Sequence, residues 1–120
     1  VACEGKYFSR KELECPCGCG ECDMDDMFLE RLDMLRYRYN RPIRLNSAYR
    51  CQEHNGSVGG VSDSAHTKGL AVDIKANTQE KYWLMKYAFE LGFRGVGQGK
   101  SFIHLDDETK EPRPNVWEYS

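Results

Sequence analysis

Two short stretches decide the fold: Ala71-Val72-Asp73-Ile74-Lys75 and Phe102-Ile103-His104-Leu105-Asp106. Both alternate in polarity, and successive side chains of a strand point to opposite faces, so each reads as a half-buried strand. Val72 and Ile74 turn toward a core in the first, as Ile103 and Leu105 do in the second. Asp73 therefore faces the other way, together with Phe102, His104 and Asp106. With the two strands as neighbours, Asp73 and His104 project from one face of the sheet. Asp is depleted from strands and needs a partner there. His66 lies just upstream, in a loop that Gly69 can fold back over that face. Two imidazoles and a carboxylate around an open position make a zinc site of the catalytic type, because three protein ligands leave the fourth position to water. A single histidine is more often an ordinary hydrogen-bonded residue. Here spacing and facing act together, and the chain's three histidines, His54, His66 and His104, all fall in or beside this constellation.

Outward from these strands, the pattern alternates helix and strand. Ser9-Arg10-Lys11-Glu12 has the form of a capping box and predicts one short helical turn. Phe28, Leu32, Leu35 and Tyr39 recur at helical spacing, predicting a helix over 25–39 with Asp25 and Asp26 in its first turn and Pro42 as its stop. Ile43, Leu45 and Ser47 alternate with Arg44 and Asn46 as a strand does. Residues 50–70 read as one long polar loop, a length that in small domains marks function or disorder. Asn77 and Glu80 form a second capping box, opening a helix in which Leu84, Tyr87, Ala88 and Leu91 share a face and Gly92 marks the end. A last strand is expected over Val116 to Tyr119, with Gly-rich turns between it and the preceding elements. The class is α+β, a small, mostly antiparallel sheet with flanking helices.

The chain has 120 residues, 40% hydrophobic and 30% charged, which fits one globular domain over 1–120 with a Cys-rich segment, 1–24, packed on it. A net charge of −2 gives no electrostatic footprint for nucleic acid or an anionic membrane. No apolar run reaches the length of a membrane span. Val1-Ala2-Cys3-Glu4-Gly5-Lys6 carries no apolar signal region, so the protein is expected to be made without a secretion signal or to be a processed form. A monomer is expected.

Six cysteines in so short a chain point to staples: Cys3, the run Cys15-Pro16-Cys17-Gly18-Cys19-Gly20-Glu21-Cys22, and Cys51. The C-x-C-x-C-x-x-C run has thiolates close enough to wrap a tetrahedral ion, making Cys15, Cys17, Cys19 and Cys22 a candidate second, structural zinc site. Closely spaced cysteines bridge one another poorly, so disulfides are expected to reach Cys3 or Cys51 instead. The sequence leaves both structural options open.

Ser47-Ala48-Tyr49-Arg50-Cys51, His54-Asn55, Val58-Gly59-Gly60-Val61, the S-x-H-x-x-G-x-A-x-D segment from Ser64 to Asp73, and the later H-x-D of His104 and Asp106 resemble the zinc D-Ala-D-Ala carboxypeptidase family, peptidase M15. The resemblance runs from about Tyr7 to Asp106 and is nearest to small phage and bacterial members that share a fold with the hedgehog signalling domain. It implies that His66, Asp73 and His104 are the zinc ligands, the trio the strands already select. It implies that Arg50 binds a substrate carboxylate, a task suited to a planar guanidinium. Ser64 then hydrogen-bonds substrate or orders its loop, and Gly59 and Gly60 serve the loop's backbone geometry. Many relatives carry a Glu or Asp as general base three residues before the last ligand, where this chain has Ser101. Asp106 is the replacement expected here, either as the base or as a carboxylate orienting His104. Asp107 and His54 are weaker choices.

The implied activity is metal-assisted hydrolysis of peptidoglycan stem peptides, by a carboxypeptidase or endopeptidase of the kind found in phage lysins. Trp83 and Trp117 are expected in the core or at the rim. Two other readings compete. In one, Cys51 is the nucleophile of a Cys/His wall peptidase with His66 or His104 as base. In the other, the domain keeps its zinc but only binds the wall.

Overall fold

The two deciding strands pair antiparallel with Asp73 opposite His104, flanked by Val72 opposite Leu105 and Ile74 opposite Ile103. The structure is a computed structural model that describes residues 2–61 and 64–119. In chain order its elements are α1 (Arg10–Leu13), α2 (Asp26–Tyr39), β1 (Leu45–Ser47), α3 (Gln52–Ser57), a 3-10 turn (Ala65–Lys68), β2 (Ala71–Lys75), α4 (Thr78–Leu91), β3 (Gly95–Gln98), β4 (Phe102–Asp106) and β5 (Asn115–Glu118). The five strands lie in the order β1-β2-β4-β3-β5; only the β3–β5 pair is parallel. The expected α+β class, with its mostly antiparallel sheet, is what forms.

Periodicity decides which face goes where. Val72, Ile74, Val96, Ile103 and Leu105 are buried in one cluster with Phe28, Leu29, Leu32 and Leu35 of α2 and Leu84 and Ala88 of α4. The two long helices therefore cover one face of the sheet, and the opposite face is left to polar chemistry. Both expected capping boxes form: the Ser9 side chain accepts from the Glu12 N–H, and Asn77 does the same for Glu80. Helix α2 ends one step earlier than proline requires. Asn40 adopts a left-handed conformation (φ 57°) and its N–H donates to the Arg36 carbonyl, with Pro42 lying beyond.

Three sequence expectations need correction. Residues 50–70 are not one loop, because α3 and the 3-10 turn are folded within them. Helix α3 escaped notice because the residue it buries is Asn55, so it has no apolar stripe to read. Gly95-Val96-Gly97-Gln98, to which the sequence pattern assigned no strand, forms β3, between β4 and β5. The last strand begins at Asn115 and ends at Glu118, one residue earlier than expected. Among the described residues, no helix is long and apolar enough to cross a membrane.

The N-terminal segment is tied down by backbone bonds. Ala2 and Met24 exchange N–H···O bonds of 3.1 and 2.8 Å, and Cys3 is joined to Cys22 by a disulfide whose Cα atoms are 5.8 Å apart. That pairing removes Cys22 from the set Cys15, Cys17, Cys19 and Cys22. Cys51 stands in its place, beside Cys15 and Cys17.

Candidate metal centre and its cleft

β2 and β4 present Asp73 and His104 side by side, and the 3-10 turn delivers His66 to them. The turn is held at both ends. Ser64 caps it by accepting from the His66 N–H, and Gly69 closes it in a left-handed conformation (φ 70°). A Cβ at Gly69 would fall 2.7 Å from Met24 Cα and on the Asp23 carbonyl, so only glycine lets the turn lie against the N-terminal segment. Ser64 thus orders the loop, one of the two roles expected of it.

The ring nitrogens can be assigned from their partners. His66 Nδ1 lies 2.8 Å from the Ala48 carbonyl, which can only accept, so Nδ1 carries the proton. His104 Nε2 lies 2.7 Å from Asp106 Oδ2 and donates to it. This leaves His66 Nε2 at 3.2 Å from Asp73 Oδ2 and His104 Nδ1 at 2.9 Å from Asp73 Oδ1. In the neutral rings both of these nitrogens are lone pairs aimed at carboxylate oxygens, and acceptors facing acceptors require a proton or a cation between them. One donor atom from each of the three residues lies within 4.8 Å of the others. A His2Asp set with an outer carboxylate behind one ligand is the donor chemistry of a catalytic divalent site, so the residues fit the expected ion.

The local charge balance favours ionised carboxylates. Where protons rather than an ion fill the gaps, so that the rings donate to Asp73, burial pushes its carboxyl up, but the bonds from His104 and His66 and their charge outweigh it and hold Asp73 well below the usual range. Asp106 is likewise pushed up by burial and held low by Arg113 and His104. The His104 imidazole is pushed down by burial, yet its bonds to Asp106 and Asp73 raise it overall.

Asp106 is fully engaged. Its Oδ1 accepts from Arg113 Nε (2.8 Å) and the Glu108 N–H (3.1 Å), and its Oδ2 accepts from Arg113 (2.8 Å) and His104. This carboxylate is buried, with 1% of its surface exposed, and one of its four bonds comes from the ring of His104. Ser101 lines a different depression, with Arg41 and Arg44. Asp107 pairs with Arg31 of α2, and His54 sits on α3 with its N–H donated to Cys51.

A cleft of about 570 Å³ opens over the three residues. Arg50 lines it on one side: its Nε donates to Ser47 Oγ (3.1 Å), one terminal nitrogen to Asn55 Oδ1 (3.2 Å), and the other makes a long 3.5 Å contact with Asp73 Oδ2. The opposite wall comes from β5 and the segment before it. Trp117 lies with its ring centroid 5.5 Å from that of His104, Tyr119 packs on Phe102 at 5.3 Å, and the Arg113 guanidinium sits 4.8 Å above the Trp117 ring. Glycines of β3 make room for this wall. A Cβ at Gly97 would lie 2.6 Å from Trp117 Nε1, and one at Gly95 would strike both Asp106 and Arg113.

Sequence reasoning missed Arg113, Tyr119 and Glu111 as lining residues. Arg113 and Glu111 precede β5 in irregular chain, where no periodicity speaks. The usable signal was the pair Gly95 and Gly97 around an apolar Val96, since glycine inside a strand marks a close approach. Trp117 is at the rim, as expected; Trp83 is exposed on α4 against Tyr82 and Tyr87.

No curated protein matches the chain. The family model described as Peptidase M15 matches residues 6–106, which include most of the N-terminal segment, the first four strands and all three residues of the metal-binding group. On the strength of that match over most of its length, the chain belongs to the peptidase M15 family.

Proposed function

We propose that this peptidase-family domain is a zinc-dependent hydrolase of peptidoglycan stem peptides, with His66, Asp73 and His104 as the metal ligands. The observation that carries the reading is the convergence of two imidazole lone pairs on the Asp73 carboxylate at the floor of an open cleft. Zinc held there by His66, Asp73 and His104 would supply Lewis acidity, polarising a carbonyl and lowering the pKa of water toward neutrality.

The chain's own residues do the rest. Asp106 holds His104 in one tautomer and one orientation, and Arg113 keeps Asp106 ionised. Ala48 does the same for His66 through its carbonyl. Arg50 binds a substrate carboxylate: its 3.5 Å contact to Asp73 is weak, so that nitrogen is available once Asp73 is committed to an ion. Trp117 and Tyr119 give the cleft an apolar wall against which an extended peptide lies. A carboxylate-gripping arginine on the opposite side favours a substrate with a free carboxyl near the scissile bond, which suits a carboxypeptidase or an endopeptidase acting beside a D-residue side-chain carboxylate. A lysin role accords with such a substrate.

The Cys51 alternative has little support in this geometry. The Cys51 sulfur faces Cys15 and Cys17, while His66 and His104 spend their ring nitrogens on Ala48, Asp73 and Asp106. The wall-binding alternative is decided by experiment. Purified peptidoglycan is digested with and without a chelator, and the released fragments are weighed by mass spectrometry. Chelator-sensitive release of peptides or D-Ala, absent from His66→Ala, is expected and names the bond. Zinc-loaded, folded protein that releases nothing from several wall types would overturn hydrolysis in favour of binding.

A further inference from the structure

The four cysteines outside the disulfide are gathered at one point, away from the cleft. Cys15, Cys17 and Cys19 come from the irregular chain after α1, and Cys51 caps the start of α3. Their sulfurs all lie within 4.8 Å of one another. The Sγ atoms of Cys15 and Cys17 are 3.5 Å apart, those of Cys15 and Cys51 3.6 Å, and those of Cys17 and Cys51 3.7 Å. A disulfide needs about 2.05 Å, so none of these pairs is bridged. Four sulfurs at about 2.3 Å from a tetrahedral zinc ion would be separated by edges of about 3.8 Å. The three edges among Cys15, Cys17 and Cys51 come close to that length, and Cys19 Sγ lies within 4.8 Å of each of them.

A second observation concerns what points at the sulfurs. The Cys51 N–H donates to Cys15 Sγ, the His54 N–H to Cys51 Sγ, and the Glu21 N–H to Cys19 Sγ, each at 3.4 Å. A thiol accepts such bonds weakly; a thiolate accepts them well, because ionised acceptors strengthen hydrogen bonds. The backbone is arranged to stabilise negative charge on three of the four sulfurs. Glu21, whose Oε2 lies 3.6 Å from Cys19 Sγ, is an exposed residue.

We propose that Cys15, Cys17, Cys19 and Cys51 bind a second zinc ion as a closed four-thiolate site. Its role is structural, since all four tetrahedral positions are taken and none is left for substrate or water. What it fixes is the corner of chain that serves the cleft. Cys51 directly follows Arg50, whose N–H donates to the His66 carbonyl at 3.2 Å, and Tyr49 N–H donates to the Leu13 carbonyl at 3.1 Å. Ala48, one residue further back, receives the His66 ring N–H. The ion thus ties the N-terminal segment to the backbone that aims both Arg50 and His66. Each cysteine loses its thiol proton on binding, so four protons leave as one Zn²⁺ enters and no electrons are exchanged.

The test counts metal and reads its ligands, not peptidase activity. Protein with its Cys3–Cys22 disulfide intact is loaded with zinc, desalted and analysed by elemental mass spectrometry. Two zinc ions per chain are expected for the native sequence, one for His66→Ala/His104→Ala, and one for Cys17→Ser/Cys19→Ser. Cobalt substitution of the native sequence adds a ligand signature: intense near-ultraviolet sulfur-to-cobalt charge transfer is expected. It persists in the histidine double variant, because the cleft holds no sulfur ligand. That band reports the cysteine site whether or not the cleft binds metal. It also stands if the serine variant fails to fold. A native protein without the sulfur–cobalt band, or a Cys15–Cys51 disulfide in the peptide map of the zinc-loaded chain, would overturn the proposal.

Discussion

Arg113→Met isolates the buried ion pair behind His104. The Arg113 guanidinium meets Asp106 with two bonds of 2.8 Å, and the two side chains are 9% and 1% exposed. Removing one partner of a buried pair costs about 3–5 kcal/mol, because the other charge is left without compensation. Asp106 keeps two of its four donors, His104 and the Glu108 N–H, which places the cost at the lower end, about 3 kcal/mol. Loss of the guanidinium above Trp117 adds about 0.5–1 kcal/mol. The variant should therefore be about 3.5–4 kcal/mol less stable than the native sequence. Urea unfolding followed by far-ultraviolet circular dichroism measures this. With a denaturant slope of about 2 kcal/mol per molar, the midpoint falls by about 1.5–2 M. Free zinc must be the same in all samples, since an ion bound to the native state adds to its stability. Arg113→Met/Asp106→Asn removes the stranded charge and should lose less than the sum of the two single variants, with a coupling of at least about 1.5 kcal/mol. A loss below about 1 kcal/mol for Arg113→Met, with the slope unchanged, would refute the reasoning. Asp106 would then be hydrated rather than dependent on the arginine.

Other expectations follow from the same geometry. Asp106→Asn should weaken zinc binding in the cleft by about 10–100-fold, as removal of an outer carboxylate does, read by competition with a chelating dye; unchanged affinity would contradict an orienting role. Gly69→Ala forces a Cβ onto the Asp23 carbonyl and Met24 Cα at a left-handed backbone, so it should cost at least about 2 kcal/mol in the same urea assay, with a near-neutral result arguing against the packed turn. Glu108 is buried and held below its ordinary 4.5 despite the upward push of burial, because Lys68 and the N–H groups of Lys110 and Thr109 favour its ionised form. A carboxylate with a depressed folded pKa stabilises the protein above the unfolded value, and that contribution is lost as pH falls through the folded pKa. The stability gap between the native sequence and Glu108→Gln should thus be full at pH 6 and shrink below about pH 4.5. A gap that stays constant to pH 3 would exclude the assignment.

The parts of the site carried by strand alternation were legible from sequence. Val72 and Ile74 could only face a core, so Asp73 had to face the other way, and the same rule placed His104 opposite it. His66 was legible as a neighbour through Gly69. The last strand and Trp117 at the rim were legible, but their place in the far wall was not, because β5 joins β3 in parallel after an irregular excursion, carrying Arg113, that leaves no period to read. Strand β3 itself was hidden by its glycines, whose lack of side chains is what gives Arg113 and Trp117 their space. The cysteines misled by proximity in sequence. Cys22 belongs to the same run as Cys15, Cys17 and Cys19, yet the exchange of backbone bonds between Ala2 and Met24 carries it to Cys3. Asp106 was legible as a partner of His104, but its other donors, Arg113 and the Glu108 N–H, come from chain that leaves no pattern to read.

The position of Trp117 also gives the molecule a built-in optical reporter. The chain has two tryptophans, and Trp83 lies on the outer surface of α4, remote from the cleft lining. Replacing Trp83 with phenylalanine leaves a single indole, stacked under the Arg113 cation and tilted against the imidazole of His104. Emission from that indole responds to the charge and hydration of its surroundings, so the cleft's occupancy becomes readable as a change in fluorescence intensity or wavelength without a label. Metal loading and substrate docking can then be followed in real time from within the wall they alter.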